Sequence, residues 1–165
     1  DRRQRQMCIR DRCMIDLVKE QIRTYAGIEL SMKQEDITMS GHAIECRINA
    51  EDPFNDFIPS PKKIDSLNFA GGIGVRIDSF IYAGYQIPTN YDSMLGKLIV
   101  HSSSREKALI RMKRSLQETF IEGPKTTLPL LEMIFENKDF NNGNLDINFL
   151  GKFLKNIKEK DNDSS

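Results

Sequence analysis

An alternating stretch at residues 43–52, AIECRINAED, constrains the fold more than any other part of the chain. In a β-strand, successive side chains point to opposite faces of the sheet. The apolar face of this strand would consist of Ile44, Cys46, Ile48 and Ala50. The polar face would consist of Glu45, Arg47 and Asn49. The pattern therefore predicts a strand with one face in the core, and a polar face that is either solvated or part of a site.

Further along the chain, strand patterns come before helix patterns. The predicted strands are residues 42–49, 64–69 (IDSLNF), 75–82 (VRIDSFIY) and 95–102 (LGKLIVHS). The sequence AGGIGV is a glycine-rich turn between two of them, and the proline-containing 51–63 is predicted to be a surface loop. An arrangement of antiparallel strands followed by helices belongs to the α+β class.

Four helices are predicted from apolar spacing. The first covers residues 15–26, and the second starts at the capping box Ser103–Glu106 and ends at Gly123-Pro124. The third covers Thr127–Asn137, and the fourth covers 147–157. The apolar face of the second helix, a stripe along one side, would consist of Leu109, Met112, Leu116 and Phe120. Residues 137–144 are predicted to be a loop, and 158–165 a frayed polar terminus.

The bulk composition excludes several classes of protein. No apolar run approaches the roughly 18 residues that a membrane helix needs, and the first residues contain no signal-peptide pattern. The three cysteines form no C-x-x-C pair, and the two histidines lie far apart without nearby thiols. We therefore expect no metal site, no membrane association and a reducing compartment.

The first dozen residues, DRRQRQMCIRDR, differ from the rest of the chain. They contain five arginines and two aspartates, and without them the remaining 19 basic and 22 acidic side chains give a net charge of −3. A nucleic-acid-binding arm is one interpretation, but the acidic body and the lack of stacking aromatics disfavour it. The preferred prediction is that residues 1–14 are a non-native extension resembling a translated adapter, to be excluded from fold reasoning.

Local chemistry alone leaves the function open. AGGIGV is not a phosphate-binding loop because it lacks the G-x-G-x-x-G spacing and a following lysine. Aspartate and serine in Tyr91-Asp92-Ser93 are ordinary turn residues. An arginine on a polar strand face is more often a surface ion pair than part of a site. From the residues alone the prediction is an α+β domain with one unusual polar strand face.

Several separated motifs closely resemble the C-terminal domain of the biotin carboxylase family. They are GHAIECRINAEDP, PSP, GGIGVR, YDSMLGKLI and FIEGPKTTLPLL, in this order, and the likeness runs from about residue 15 to residue 153. The resemblance implies that residues 15–40 are a helix and connection from the end of an ATP-grasp region. It further implies that residues 41–155 are the C-terminal domain and that 156–165 are a polar tail.

The resemblance also implies a reaction, a role for Arg47 and a set of cofactors. Enzymes of this family carboxylate biotin on a carrier protein with ATP, magnesium and bicarbonate, in the first half-reaction of acetyl-CoA carboxylase in fatty acid synthesis. The ureido oxygen of biotin becomes negative when its nitrogen is deprotonated, and a fixed cation there lowers the barrier. By resemblance Arg47 is that cation. Glu45 and Asn49 either orient its guanidinium or are simply solvent-exposed.

Three further residues have roles implied by the resemblance. Ile147 matches the apolar contact with the adenine ring of ATP, or is merely the first core residue of the last helix. Ile73 and Arg76 match the homodimer interface, although Arg76 has the alternative of a local pair near Asp78. The ATP-grasp part, with its magnesium ligands, lies upstream in the family and is not expected here.

We therefore expect the fragment alone to be inactive, and the alternative hypothesis is a non-catalytic dimerisation or interaction module. The intact enzyme would be a cytoplasmic or plastid-stromal ligase. It would associate with a biotin carboxyl carrier protein and carboxyltransferase subunits, and it would bind no nucleic acid and no membrane.

Overall fold

The computed structural model describes residues 6–163, with side chains described from residue 8 to residue 159. Its helices are α1 (Gln6–Cys13), α2 (Leu17–Tyr25), α3 (Arg105–Glu118), α4 (Leu128–Glu136), α5 (Lys138–Asn142) and α6 (Phe149–Asp163). Its strands are β1 (His42–Asn49), β2 (Glu51–Asp52), β3 (Ile58–Pro59), β4 (Leu67–Asn68), β5 (Val75–Ser79), β6 (Met94–Ser102) and β7 (Phe120–Ile121). Antiparallel strands and helices together confirm the α+β class.

The main sheet has three antiparallel strands in the order β1-β6-β5, so β1 is at one edge. Its apolar face is formed mainly by Cys46 and Ile48 from β1 and by Leu98 and Val100 from β6, all buried. Helix α3 contributes three buried side chains to the same core: Leu109, Met112 and Leu116. The alternation of residues 43–50 is thus confirmed, with Cys46, Ile48 and Ala50 buried and Ile44 partly buried.

Close backbone approach explains the glycine at the turn into β5. Gly74 has a φ of +74°, a conformation that residues with a side chain seldom adopt. A Cβ atom placed there would come within 2.5 Å of the carbonyl oxygen of His101 in β6. The Gly74 carbonyl oxygen in turn accepts a hydrogen bond of 2.9 Å from the His101 N–H. The predicted turn at AGGIGV therefore joins β4 to β5 and brings β5 alongside β6.

The segment 1–14, excluded from fold reasoning, contains a helix in the structure. Helix α1 packs on β1 and β6, and Asp11 forms an ion pair of 2.9 Å with Arg76 of β5. Excluding residues 6–13 from the fold was therefore wrong, because their contacts lie far away in the sequence and no local period indicates them. Their non-native origin stays a prediction, and residues 1–5 lie outside the described part of the chain.

Other element predictions need correction at their ends. The predicted loop 51–63 contains the pair β2–β3, and the predicted loop 137–144 contains α5. The N-cap of α3 is Ser104, not Ser103, and α3 ends before Phe120, which lies half-exposed in β7. The last helix begins at Phe149, two residues after the predicted start, and continues to Asp163 through most of the predicted polar tail.

Candidate functional site

The polar face of β1 carries a carboxylate next to the guanidinium of Arg47. The Arg47 Nε atom lies 3.7 Å from Glu45 Oε1, and the Arg47 side chain is 46% exposed whereas that of Glu45 is 11% exposed. The second oxygen of Glu45, Oε2, is buried and has no hydrogen-bond partner among the described residues. Glu45 therefore offers a fixed negative charge that limits the directions in which the longer Arg47 side chain can point. This contact fits the predicted orienting role of Glu45, which stays a prediction.

Asn49 makes its contact away from Arg47. Its Nδ2 atom donates a 3.3 Å hydrogen bond to Glu51 Oε1, and the hydroxyl of Ser93 donates to the same oxygen. The Asn49 Oδ1 atom is buried and has no partner among residues 8–159. The structure thus ties Asn49 to the start of β2 and to the segment before β6. A direct bond from Asn49 to the guanidinium is not present in this arrangement.

A second cation, Lys97, lies beside Arg47 on the same face of the sheet. In the strand register Arg47 is opposite Lys97 of β6, and Lys97 is opposite Asp78 of β5. Like charges directly across a ladder repel each other, and among the described residues Lys97 has no hydrogen bond or ion pair. Arg47 and Lys97 are thus neighbouring cations on one face, and each has a carboxylate close by: Glu45 beside Arg47 and Asp78 across from Lys97.

Sequence reasoning missed Lys97, although a signal was present. Lys97 is the one charged residue in the otherwise apolar run LGKLIV. In a strand whose other face is buried, a single lysine in such a run marks the opposite face. Its position beside Arg47 depends on the pairing of β1 with β6, which the spacing within either strand does not specify.

The apolar side of β1 is a structural anchor. Burial raises the pKa of the Cys46 thiol to about 12, so that the thiol stays protonated and unreactive at neutral pH. Burial also raises the pKa of Cys8 in α1, with a further contribution from the negative charge of Glu45. All three cysteines are free thiols. Cys46 and Cys8 therefore contribute packing to this region and not a second reactive centre.

The two residues predicted for a dimer interface differ in their surroundings. Ile73, in the turn before β5, is 94% exposed. Arg76 forms ion pairs with Asp11 of α1 and with Asp78 on its own strand. The local pairing of Arg76 with Asp78, the alternative considered from the sequence, is therefore present. The assignment of Ile73 and Arg76 to a dimer interface remains a prediction.

Ile147 lies in the turn between α5 and α6, and its side chain is fully exposed, at 100%. The interpretation of Ile147 as the first core residue of the last helix is therefore wrong. Nearby Asp146 accepts hydrogen bonds from the Lys152 side chain and the Asn148 backbone N–H, and these bonds lower its pKa. The structure does not bring a second predicted site residue to Ile147, so its contact with adenine stays a prediction.

Among the side chains that the structure describes, residues 8–159, there is no group of three or more histidine, cysteine, aspartate or glutamate residues placed to bind a metal ion. Within residues 6–163 none of the helices has both the length and the apolar character needed to cross a membrane.

Comparison with known proteins connects this geometry to a family. Residues 45–152 match the sequence profile described as the biotin carboxylase C-terminal domain. The chain is 53% identical over 140 residues to the biotin carboxylase of Haemophilus influenzae, covering 85% of this chain and 31% of that protein. It is 51% identical over 143 residues to a pyruvate carboxylase subunit of Methanothermobacter thermautotrophicus, covering 87% of this chain and 29% of that protein.

A solved structure extends the likeness to three dimensions. The biotin carboxylase domain dimer of Hydrogenobacter thermophilus 2-oxoglutarate carboxylase, in complex with MgADP, ADP and bicarbonate, superposes with a TM-score of 0.85. The two chains are 42% identical, and the match covers 88% of this chain and 32% of that one. The chain thus spans less than a third of the length of the two curated relatives that it matches.

Proposed function

The chain belongs to the biotin carboxylase C-terminal domain family, and on that premise we propose that it forms the C-terminal part of a biotin carboxylase. The intact enzyme would carboxylate biotin on its carrier protein with ATP and bicarbonate. The relatives named above include both a biotin carboxylase and part of a pyruvate carboxylase. The acyl substrate of the wider complex therefore stays open, and we propose that the complex is an acetyl-CoA carboxylase.

A single observation carries this proposal: Arg47 projects from a strand that is fixed from three sides. Its neighbours Cys46 and Ile48 are anchored in the core, β6 pairs with β1 along its length, and Glu45 lies beside the guanidinium. When biotin loses its ureido proton, negative charge builds up on the ureido oxygen. An arginine already fixed at that oxygen stabilises the charge without reorganising, and it remains protonated throughout.

The positive charge of Lys97 supports the same role for this face. The negative charge on the ureido oxygen forms within the site, and a second cation on this face adds to its stabilisation. Of these two cations, Arg47 is the one that offers a planar fork of donors. We therefore assign charge stabilisation to Arg47 and leave Lys97 as a general contribution to the local potential.

The residues present fit only part of an ATP site. The exposed apolar side chain of Ile147 is suited to contact the adenine ring. When bound, ATP with magnesium supplies the phosphoryl group that activates bicarbonate. Among residues 8–159 there is no group of three carboxylates that would hold magnesium. We therefore propose that the phosphate and metal contacts belong to the ATP-grasp part of the intact enzyme and that this chain alone does not cleave ATP.

The assembly and location follow from the same proposal. A homodimer would use the exposed Ile73 and the neighbouring Arg76, and a relative of this chain has been solved as a biotin carboxylase domain dimer. The biotin carboxyl carrier protein and the carboxyltransferase subunits would be the further partners. The free cysteines agree with a reducing compartment, either the cytoplasm or the plastid stroma.

The second candidate function is a non-catalytic module for dimerisation or interaction, in which Arg47 has only a structural role. The nearly complete exposure of Ile73 favours a contact surface of this kind. The two candidates differ in what they require of Arg47. A module needs the fold of the sheet, whereas the ligase needs the charge at this position.

Substitution of Arg47 by alanine in an intact enzyme that contains residues 15–165 tests the proposal. We expect the rate of biotin carboxylation to fall by about 10²- to 10³-fold, the usual loss for one preorganised donor, while the thermal unfolding midpoint changes little. Lys113→Ala, which removes the exposed ion pair of Lys113 with Glu136, is the control and should leave the rate unchanged. Near-normal turnover of Arg47→Ala would refute the assignment and favour the non-catalytic module.

A further inference from the structure

We infer that Thr127 is a positioning residue that holds the backbone of Arg47, an inference that rests on the proposed function. Thr127 lies 80 residues away in the sequence, at the start of α4. Its side chain and its main chain both bond to β1 at the position from which the Arg47 side chain projects. Neither the sequence motifs nor the resemblance assigns Thr127 a role.

Thr127 forms three hydrogen bonds with the free edge of β1. Its hydroxyl accepts a bond of 3.1 Å from the Asn49 N–H and donates one of 3.3 Å to the Arg47 carbonyl oxygen. The Thr127 N–H donates a bond of 3.1 Å to the Asn49 carbonyl oxygen. Backbone groups of residues two apart in a strand point to the same edge. Thr127 therefore takes the place that one residue of a neighbouring strand would occupy.

Thr127 bonds to β1 at a point where the strand has little other support. The strand has no neighbour in the main sheet on the side opposite β6, and its register with β6 shifts between Ile48 and Asn49. An irregularity of this kind leaves a residue unpaired and disrupts the ladder locally. Without Thr127, the Arg47 carbonyl and the N–H and carbonyl of Asn49 would have to bond to water, and the direction of the Arg47 side chain would be less well fixed.

At the start of α4 the hydroxyl of Thr127 does not make the hydrogen bond that an N-cap threonine usually makes to its own helix. Threonine at an N-cap usually accepts a hydrogen bond from the backbone N–H of the second or third helical residue. At α4 the cap residue makes no such side-chain bond, and its backbone is helical, with a φ of −74° and a ψ of −5°. Pro129 at the second helical position has no N–H to offer. The hydroxyl is therefore available for β1.

The neighbouring Thr126 provides a matched control. Both side chains are buried, with 7% exposure for Thr126 and 8% for Thr127. Within the described residues Thr126 makes no side-chain hydrogen bond to β1. Replacement of either threonine by valine removes a hydroxyl from the same turn at nearly constant volume. Only Thr127→Val removes the two hydroxyl bonds, to the Arg47 carbonyl and from the Asn49 N–H, and it keeps the backbone bond from Thr127 to the Asn49 carbonyl.

The experiment measures two rates in the intact enzyme that contains residues 15–165. One is biotin carboxylation, and the other is bicarbonate-dependent ATP cleavage without biotin, which does not require a charge at the ureido oxygen. For Thr127→Val we expect kcat for biotin carboxylation to fall about tenfold, since small misplacements of a catalytic group have large effects. KM for biotin and the biotin-independent rate should stay within about twofold, because only the developing charge depends on the position of Arg47.

The conservative variants complete the test. Thr127→Ser keeps the hydroxyl and should restore the rate, and Thr126→Val should match the wild type. Hydrogen exchange of a peptide that spans residues 45–50 should be faster in Thr127→Val, while a peptide from β5 is unchanged. Equal loss of both rates in Thr127→Val would mean a general structural defect and would contradict the inference.

Arg47→Ala, measured alongside, separates the two claims. If Arg47→Ala is disabled and Thr127→Val turns over normally, the positioning inference fails and the proposed function stands. If Arg47→Ala is itself active, the proposed function fails and the inference about Thr127 falls with it.

Discussion

Helices α2 and α3 are both amphipathic and both begin with a side-chain cap, yet only α3 buries its apolar face. Asp16 caps α2 and Ser104 caps α3, each by accepting a bond of 3.3 Å from a backbone N–H three residues later. In α3, Met112 and Leu116 are fully buried against the main sheet. In α2, Ile22 is 66% exposed and Tyr25 is 98% exposed.

The difference shows that an amphipathic pattern predicts a helix but not the surface that covers it. The partner of α3 is the apolar face of β1 and β6, which the same sequence predicts by alternation. In α2, by contrast, Val18, Ile22 and Tyr25 all remain exposed. In proteins most helical stability comes from such packing and not from the intrinsic propensity of the helix. We therefore expect α2 and α3 to respond differently to equivalent substitutions.

The largest effect should come from removing apolar side chains at matched positions. Leu116→Ala in α3 should lower the free energy of unfolding by about 2–5 kcal/mol, since it leaves a cavity in the core. Ile22→Ala in α2 should change it by less than about 0.5 kcal/mol, as for other exposed positions. Urea unfolding of the 165-residue chain measures both. Equal losses would mean that α2 packs as α3 does, which would contradict the comparison.

A smaller effect is expected at the two caps. Ser104→Ala should lower the free energy of unfolding by about 1 kcal/mol, the usual contribution of an N-cap hydroxyl. Asp16→Ala should reduce the helical content of α2 without shifting the cooperative transition, because α2 contributes little to the core. Circular dichroism and urea unfolding distinguish the two results. A shared transition that shifts equally in both variants would show that α2 unfolds together with the core.

The smallest effect concerns pH, at the polar side of α2. Glu20 accepts hydrogen bonds from the backbone N–H of Ser31 at 3.0 Å and from its hydroxyl at 2.7 Å. These bonds, the backbone one first, lower the pKa of Glu20 below its ordinary value of 4.5. A carboxyl with a lowered pKa contributes stability that is present above the unfolded pKa and is lost as the pH falls through the folded one. We therefore expect the contact between α2 and Ser31 to loosen below about pH 4.5.

The amide of Ser31, followed by NMR between pH 6 and pH 3, provides the measurement. Its chemical shift should change with the titration of Glu20 in the wild type and should not follow pH in Glu20→Gln. The amide of Lys107 in α3 is the control, since it donates to the Ser104 hydroxyl, which does not titrate in this range. A Ser31 shift that titrates unchanged in Glu20→Gln would exclude Glu20 as its cause.

The sequence predicted those elements whose pattern is local. The faces of β1, the stripe through Met112 and Leu116, and the turn at Gly74 depend on side chains a few residues apart. The family was recognisable from separated motifs, and the match to residues 45–152 confirms it. The ends of elements were less well predicted: Phe120 continues the apolar spacing of α3 but lies in β7, because the pairing with β4 ends the helix first.

The candidate site was predicted in part. Arg47 and Glu45 were identified from one strand, and the structure brings them together. Lys97 was missed because its place beside Arg47 depends on the register between two strands that are far apart in the sequence. Asn49 was predicted either to orient the guanidinium or to be solvent-exposed, and its amide bonds to Glu51 instead of Arg47.

By itself the sequence determined the two faces of the strand that carries Arg47, since the alternation of side chains is a property of the extended backbone. Only the tertiary structure decided what holds that strand in place, because hydrogen bonds across 80 residues leave no period in the sequence. Helix α1 on the sheet, Lys97 beside Arg47 and Thr127 at the free edge of β1 all belong to this second group. These contacts form between segments that meet only when the core has formed, and the spacing of residues within one segment does not predict which segments will meet.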